Sequence, residues 1–451
     1  MVIVKLAIIG GGGFRVPLVY RALCADTHAQ RITTVCLYDV DPLRLAGIAH
    51  VVRAIAEQSD RTAYGDPPTI EVTDSIDVAL DGADFVFSAI RVGGLAGRVA
   101  DERVAIAHGL IGQETTGPGG IAYGLRTIPV ALDLARRVRG LAPNAWVVNF
   151  TNPAGMITEA MSAVLGERVI GICDSPVGLA RRAARALGHD LGDCMIDYSG
   201  LNHLGWLHRL TIDGIDRLPD LLADDAALAP LEETQIFGAD WLRLLSAIPN
   251  EYLHYYYLRR EALAGQQGAT RGEFLRDQQA ACYALLAPDT ALTTWEAVLR
   301  ERNSTYLAAA RGEGNERAAE DLVSGGYEGV ALELMSALGR GADATLILNV
   351  AAGAQLGLPA DAVVEVPCHV DAGTITPLPT SPLTGSMRGL VEQVKAVDRL
   401  AIEAATTGSA RAAELAFAQH PLVDSTRTAA TLLTDYRRAI PALDAVFTGR
   451  T

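Results

Sequence analysis

The feature that most constrains this chain is its opening, where the apolar, β-branched run Val2–Ile9 ends in Gly10-Gly11-Gly12-Gly13-Phe14-Arg15. A strand that ends in glycines before a helical pattern permits a tight turn, and it lets backbone N–H groups at the helix start approach a pyrophosphate. The pattern predicts a dinucleotide site at Gly10, Gly12, Gly13, Phe14 and Arg15, although Arg15 stands where the third glycine of GxGxxG belongs. The next strand-like run, Thr33–Tyr38, leads into Asp39. A carboxylate there can accept hydrogen bonds from the adenosine ribose hydroxyls and repel a 2′-phosphate, which favours NAD over NADP. Asp39 could instead cap the following helix, a place that Asp41 fills equally well.

Further short apolar runs follow at Phe85–Ala89, Ala145–Phe150 and Val169–Ile172, separated by helical patterns such as Asp41–Gln58 and Ala122–Arg139. This alternation predicts an α/β fold, with a Rossmann-like doubly wound parallel sheet over residues 1–172. Beyond it, helices such as Pro176–Leu187 and Arg271–Leu286 mix with strand-like pieces at Met195–Ser199, Leu207–Ile212 and Ala362–Val370. Residues 173–451 therefore read as an α+β substrate domain, with glycine- and alanine-rich loops at 262–270 and 310–316. A chain of 451 residues, 49% hydrophobic, is long enough to bury two cores.

Composition removes several function classes. A formal net charge of -15 gives the chain no reason to seek nucleic acid or an anionic membrane. The six cysteines are scattered without a CxxC pair, as reduced thiols in a cytosol would be. No apolar stretch reaches the roughly 20 residues of a membrane span, and Met1 runs into a strand rather than a signal peptide. These features predict a cytoplasmic protein.

The remaining polar motifs fall after predicted strands, at the edge that faces the ligand in doubly wound folds. They are Ile90-Arg91-Val92-Gly93-Gly94 with Arg98 and Asp101-Glu102, then Gly112-Gln113-Glu114-Thr115-Thr116-Gly117-Pro118-Gly119-Gly120. Asn149-Phe150-Thr151-Asn152-Pro153 and Gly171-Ile172-Cys173-Asp174-Ser175-Pro176 end two more strands. Taken alone, Cys173 reads as a buried structural thiol and His203 as a hydrogen-bonded core histidine.

Together with Gly200-Leu201-Asn202-His203-Leu204-Gly205-Trp206 and Asn250-Glu251-Tyr252-Leu253, these runs resemble glycoside hydrolase family 4 over nearly the whole chain. The resemblance implies that Cys173 and His203 bind a divalent metal, usually manganese, with open positions for sugar hydroxyls and water. It also implies an NAD-dependent route: hydride leaves C3 of the sugar, a base takes the C2 proton, the aglycone is eliminated from C1, water adds, and hydride returns. Tyr252 is implied as the C2 base, chosen among four tyrosines in Tyr252-Leu253-His254-Tyr255-Tyr256-Tyr257. The substrate would be a 6-phospho-glucoside or phosphorylated disaccharide. Arg91, Arg98 and Arg271 would take its phosphate, with Arg271 reaching in from a neighbouring subunit, and Glu114, Asn152 and Asn202 would lie against it.

Asp174, which can protonate the leaving oxygen, is the residue that relatives acting on α-anomers carry after the metal cysteine. The segments around Gly13-Phe14-Arg15, Gln113-Glu114 and Asn202-His203 read like the β branch, and β is favoured because more positions support it. Homodimers or homotetramers are usual in the family. Two other readings remain: a hydroxy-acid dehydrogenase, which would accumulate NADH, and a non-enzymatic NAD-binding regulator, which would have no use for a metal pair.

Overall fold

The computed structural model describes residues 4–28, 30–266, 268–305 and 326–449. Six strands form a parallel sheet: β1 (Lys5–Ile9), β2 (Thr34–Tyr38), β3 (Thr69–Thr73), β4 (Phe85–Ser88), β5 (Trp146–Asn149) and β6 (Val169–Gly171). Their order is β3-β2-β1-β4-β5-β6, the doubly wound arrangement of dinucleotide-binding folds. Both faces are covered, so successive residues of β1 enter different cores: Leu6 and Ile8 on one side, Ala7 and Ile9 on the other. The expected α/β class holds. The short, exposed edge strand β3 carries no apolar run, which is why the sequence did not announce it.

The sheet does not stop at β6. It continues through β7 (Cys194–Leu201), β8 (Leu204–Ile212), β9 (Ile215–Asp216), β10 (Ile248–Pro249), β11 (Ala344–Ala351), β12 (Val363–Asp371) and β13 (Thr374–Pro377). β11 pairs antiparallel with β6 at Asn349 and Gly171, and β12 meets β7 at Glu365 and Gly200. One 13-stranded sheet therefore runs from β3 to β10. The helix expected at Ala122–Arg139 is longer, Gly117–Leu141, and starts at the ligand-facing edge. The loop expected at 262–270 begins inside a helix, Arg259–Ala264, and ends in a capping box formed by Thr270 and Glu273. The loop expected at 310–316 lies outside the described residues. Among the described residues, no helix is long and apolar enough to cross a membrane.

A buried ion pair clamps the edge of the sheet that faces the site. Arg126, on the helix Gly117–Leu141, donates from both terminal nitrogens to Asp101 at 2.7 and 2.6 Å, and from Nε to Val92 O at 3.0 Å. Neither side chain of the pair is exposed. Removing one partner of such a pair strands the other charge in a dry interior. Arg126→Leu should cost about 3–5 kcal/mol in chemical denaturation, whereas a loss below about 1 kcal/mol would show that the pair behaves as a surface one.

Candidate active site

The glycine-rich loop is shaped by contacts that leave no room for side chains. Gly10 turns out of β1 at a φ of 91°, and Gly10 N and Gly11 N both donate to Tyr38 O, at 2.9 and 2.7 Å. A Cβ on Gly10 would lie 2.6 Å from Ala89 O, and one on Gly12 would lie 2.9 Å from Leu45 N. Asp41 caps the helix Pro42–Gln58 by accepting from Leu43 N and Arg44 N. Asp39 instead braces the loop, accepting from Gly12 N at 2.9 Å and Asp41 N at 3.0 Å. The loop carbonyls are held from the far half of the chain. Tyr283 OH donates to Gly12 O, Trp295 Nε1 to Phe14 O and Tyr327 OH to Arg15 O, at 2.7, 2.7 and 2.6 Å.

The carboxyl ends of β1, β4, β5 and β6 open on a cavity of about 1020 Å³. Gly13, Phe14, Arg15, Arg91, Arg98, Glu114, Asn152, Cys173, Asp174, His203, Tyr252 and Arg271 all line it. Gly10, Gly12 and Asp39 stand behind it in the loop. Asn202 lines a smaller adjoining cavity of about 40 Å³ that shares Thr115 and His203 with the first, and its Nδ2 donates to Glu365 Oε1 at 3.2 Å. Glu365 is fully buried and also accepts from Asn349 and Tyr198; burial pushes its carboxyl up to about 7 against these donors.

Cys173 and His203 suit a metal chemically. The Cys173 thiol is buried, and burial with the nearby Glu365 and Asp174 charges pushes it well above its ordinary range, so a cation would be needed to hold it as thiolate. Burial pulls His203 down to about 4, which keeps the imidazole neutral and able to donate a lone pair at neutral pH. The Asn152 Oδ1 is buried beside them with no partner among the described residues. His203 adopts a φ of 63°, and its ring lies parallel to that of Tyr252, with centroids 3.7 Å apart and planes 4° apart. The other tyrosines of the cluster are set differently: burial pushes Tyr255 up to about 12 and raises Tyr256 further, and Tyr257 OH accepts from Trp206.

Arginines crowd the opposite wall. Arg91 and Arg98 both donate to Glu114, and Arg98 also donates to Glu102 at 2.9 Å. Arg15 pairs with Asp174 at 3.2 Å and lies over the Tyr327 ring, 4.3 Å from its centroid. Arg271 donates to Thr305 Oγ1 at 2.8 Å and Arg302 O at 2.9 Å. Arg302 lines the cavity too; burial, then repulsion from Arg15, Arg98, Arg271 and Arg91, pulls it down to about 9. An anion entering the cavity would relieve that repulsion. Sequence reading missed Arg302, and also Tyr283, Trp295 and Tyr327; only their distant partners in the fold give them a role.

A Rossmann-type sheet whose carboxyl edge opens on a cavity with a thiol, a neutral imidazole and clustered arginines defines a dinucleotide-fold protein built around a small anionic ligand. Residues 5–189 match the family described as "Family 4 glycosyl hydrolase", and residues 198–423 match its C-terminal domain. The chain is 32% identical over 452 residues to a Bacillus subtilis (strain 168) protein named "Probable 6-phospho-beta-glucosidase", covering 96% of each. It also resembles a Thermotoga maritima 6-phospho-beta glucosidase solved with manganese, NAD+ and glucose-6-phosphate, at 27% identity and a TM-score of 0.81 over 97% of this chain and 98% of that one. A 6-phospho-alpha-glucosidase from gut microorganisms, solved with NAD and glucose-6-phosphate, gives 26% identity and a TM-score of 0.80 over 97% and 98%. The chain belongs to glycosyl hydrolase family 4.

Glu114 makes the arginine wall testable through pH. Burial alone would raise its carboxyl, but Arg91 and Arg98 prevail and lower it from the ordinary 4.5 to about 2. Its stabilisation is therefore complete above about pH 4.5 and is lost as pH falls toward 2, worth about 3 kcal/mol by linkage. Glu114→Gln should be less stable than the native chain by about that amount at neutral pH. The gap should close as the native carboxyl protonates. A gap that stays constant down to pH 2 would show that the carboxylate charge is not what stabilises the wall.

Proposed function

We propose that this protein hydrolyses 6-phospho-β-glucosides by oxidation at C3, proton removal at C2, elimination of the aglycone and addition of water. The observation that carries the reading is that Cys173, Asp174, His203, Tyr252 and the arginines line one cavity with Gly13, Phe14 and Arg15 of the glycine-rich loop. The relatives solved with NAD, manganese and glucose-6-phosphate support it. NAD, when bound, supplies reversible hydride transfer at C3, and a divalent metal held by Cys173 and His203 supplies polarisation of the oxidised sugar.

The chain's own residues do the rest. Tyr252 takes the C2 proton, a role supported by its being the tyrosine of the cluster that stacks on His203, the proposed metal ligand. Asp174, next to Cys173 and paired with Arg15, takes a proton from solvent and passes it to the oxygen leaving C1. Arg91, Arg98 and Arg271, with Arg302 beside them, hold the phosphate; each guanidinium can offer paired N–H donors to its oxygens. Glu114 sets the two arginines it joins, and Asn152 offers its unpartnered oxygen to a sugar hydroxyl or to the metal. Asn202 acts from behind, through Glu365. The protein is proposed to work in the cytoplasm as a homodimer or homotetramer, with Arg271 serving its own chain's cavity rather than a neighbour's. Asp174 also favours a second reading, in which the α-anomer is the substrate.

A panel of 4-nitrophenyl α- and β-glucosides, each with and without a 6-phosphate, tests both readings in the presence of NAD and Mn²⁺. Nitrophenol should come from the phosphorylated β-substrate, need both additions, and leave no net NADH. Release from the α-substrate alone would move the assignment to α, and stoichiometric NADH would indicate a dehydrogenase. Tyr252→Phe keeps the ring but removes the base, so turnover should fall at least ~100-fold while NAD still binds. Undiminished turnover would pass the base role to Tyr255.

A further inference from the structure

Gln113 and Thr115 sit beside the proposed metal position without a part in the chemistry above. Gln113 Oε1 accepts from Thr115 N at 2.5 Å, Thr116 N at 2.7 Å and Thr115 Oγ1 at 3.0 Å. Backbone N–H groups can only donate, so the atom facing them is the amide oxygen and not the amide nitrogen. The Thr115 hydroxyl has one proton, and this oxygen receives it. The hydroxyl's remaining lone pairs face His203 Nδ1, 3.1 Å away. Nδ1 must then carry its proton to make that bond, which leaves the lone pair on Nε2.

The arrangement is held on every side. The parallel stack on Tyr252 fixes the plane of the His203 ring. Gly119 lets the segment lie directly on the start of the helix Gly117–Leu141, since a Cβ there would come within 2.2 Å of Gln113 O. Gln113 itself is 9% exposed, so water competes little for its oxygen.

We propose that Gln113 and Thr115 form a relay that locks His203 in the Nδ1–H tautomer and so presents Nε2 to the divalent cation. Both are positioning residues, and the inference rests on the reading that Cys173 and His203 hold that cation. Outer partners of this kind usually carry a roughly 10–100-fold share of metal affinity.

The test is calorimetric titration of Mn²⁺ into the full chain, with NAD affinity measured in parallel. Thr115→Val keeps the shape but offers no acceptor, and its Mn²⁺ dissociation constant should rise about 10–100-fold with NAD affinity unchanged. Thr115→Ser, which restores the hydroxyl, should restore metal binding. A valine variant that binds Mn²⁺ as tightly as the native chain would overturn the relay, and so would a serine variant that fails to restore binding. His203→Ala separates failure of the relay from failure of the metal assignment. If it too binds Mn²⁺ like the native chain, the metal reading itself fails; if it alone weakens binding, only the relay does.

Discussion

The site depends on the interlock between the glycine-rich loop and the far half of the chain. On one side Gly10 and Gly11 donate to Tyr38 O, tying the loop to β2; on the other, Tyr283, Trp295 and Tyr327 take up the carbonyls of Gly12, Phe14 and Arg15. Each bond contributes on the order of 1 kcal/mol net, yet a buried carbonyl left without one would cost more than that. The loop can therefore take its shape only when residues near 283, 295 and 327 have packed against it. The same dependence holds for the sheet. β11 joins β6 at Gly171, two residues before Cys173, and β12 joins β7 at Gly200, three before His203. Cys173 thus follows the strand at the junction of the parallel and antiparallel parts, and His203 follows a strand that β12 and β11 tie to that junction.

Charge is arranged on the two walls of the cavity with opposite logic. On the side of the proposed metal pair, burial favours neutral groups, helped at Cys173 by the charges of Glu365 and Asp174: a thiol held protonated and an imidazole held uncharged, both of which would become ligands when a cation arrives. On the other wall, burial is overcome by pairing. Glu114 stays ionised between Arg91 and Arg98, and its charge in turn offsets the cost of burying the two guanidinium groups. Arg302, crowded by like charges, is the least comfortable cation of the group. A ligand with a hydroxylated ring at one end and an anion at the other fits both walls at once.

The parallel half of the fold was legible because its strands are apolar runs that end in glycine or in polar motifs, and each run enters a fully covered sheet. β3 was not, since an edge strand with exposed residues looks like any polar segment. Of the site, the residues that follow the parallel strands could be placed on one edge by topology alone, and Gly13, Phe14, Arg15, Arg91, Asn152, Cys173 and Asp174 all line the cavity there. Asn202 shares a motif with His203, and both line the smaller cavity, but of the two His203 alone also lines the larger one, a distinction that motif order does not carry. The loop's tyrosines and tryptophan, Arg302 and the Gln113–Thr115 contact to His203 depend on approaches across 88 to 312 residues. No local pattern encodes those.

In the proposed mechanism the glycosidic bond breaks by elimination after a proton leaves C2, with Tyr252 as the group that takes it. Running the reaction in heavy water and examining the released sugar phosphate by NMR tests this directly, because a phenol that has taken the proton exchanges it with solvent before one is returned. The account predicts deuterium at C2 of the product, falling together with cleavage when Tyr252 is replaced by Phe. A product from the native enzyme that retains its original hydrogen at C2 would mean direct displacement at C1 and would contradict the account.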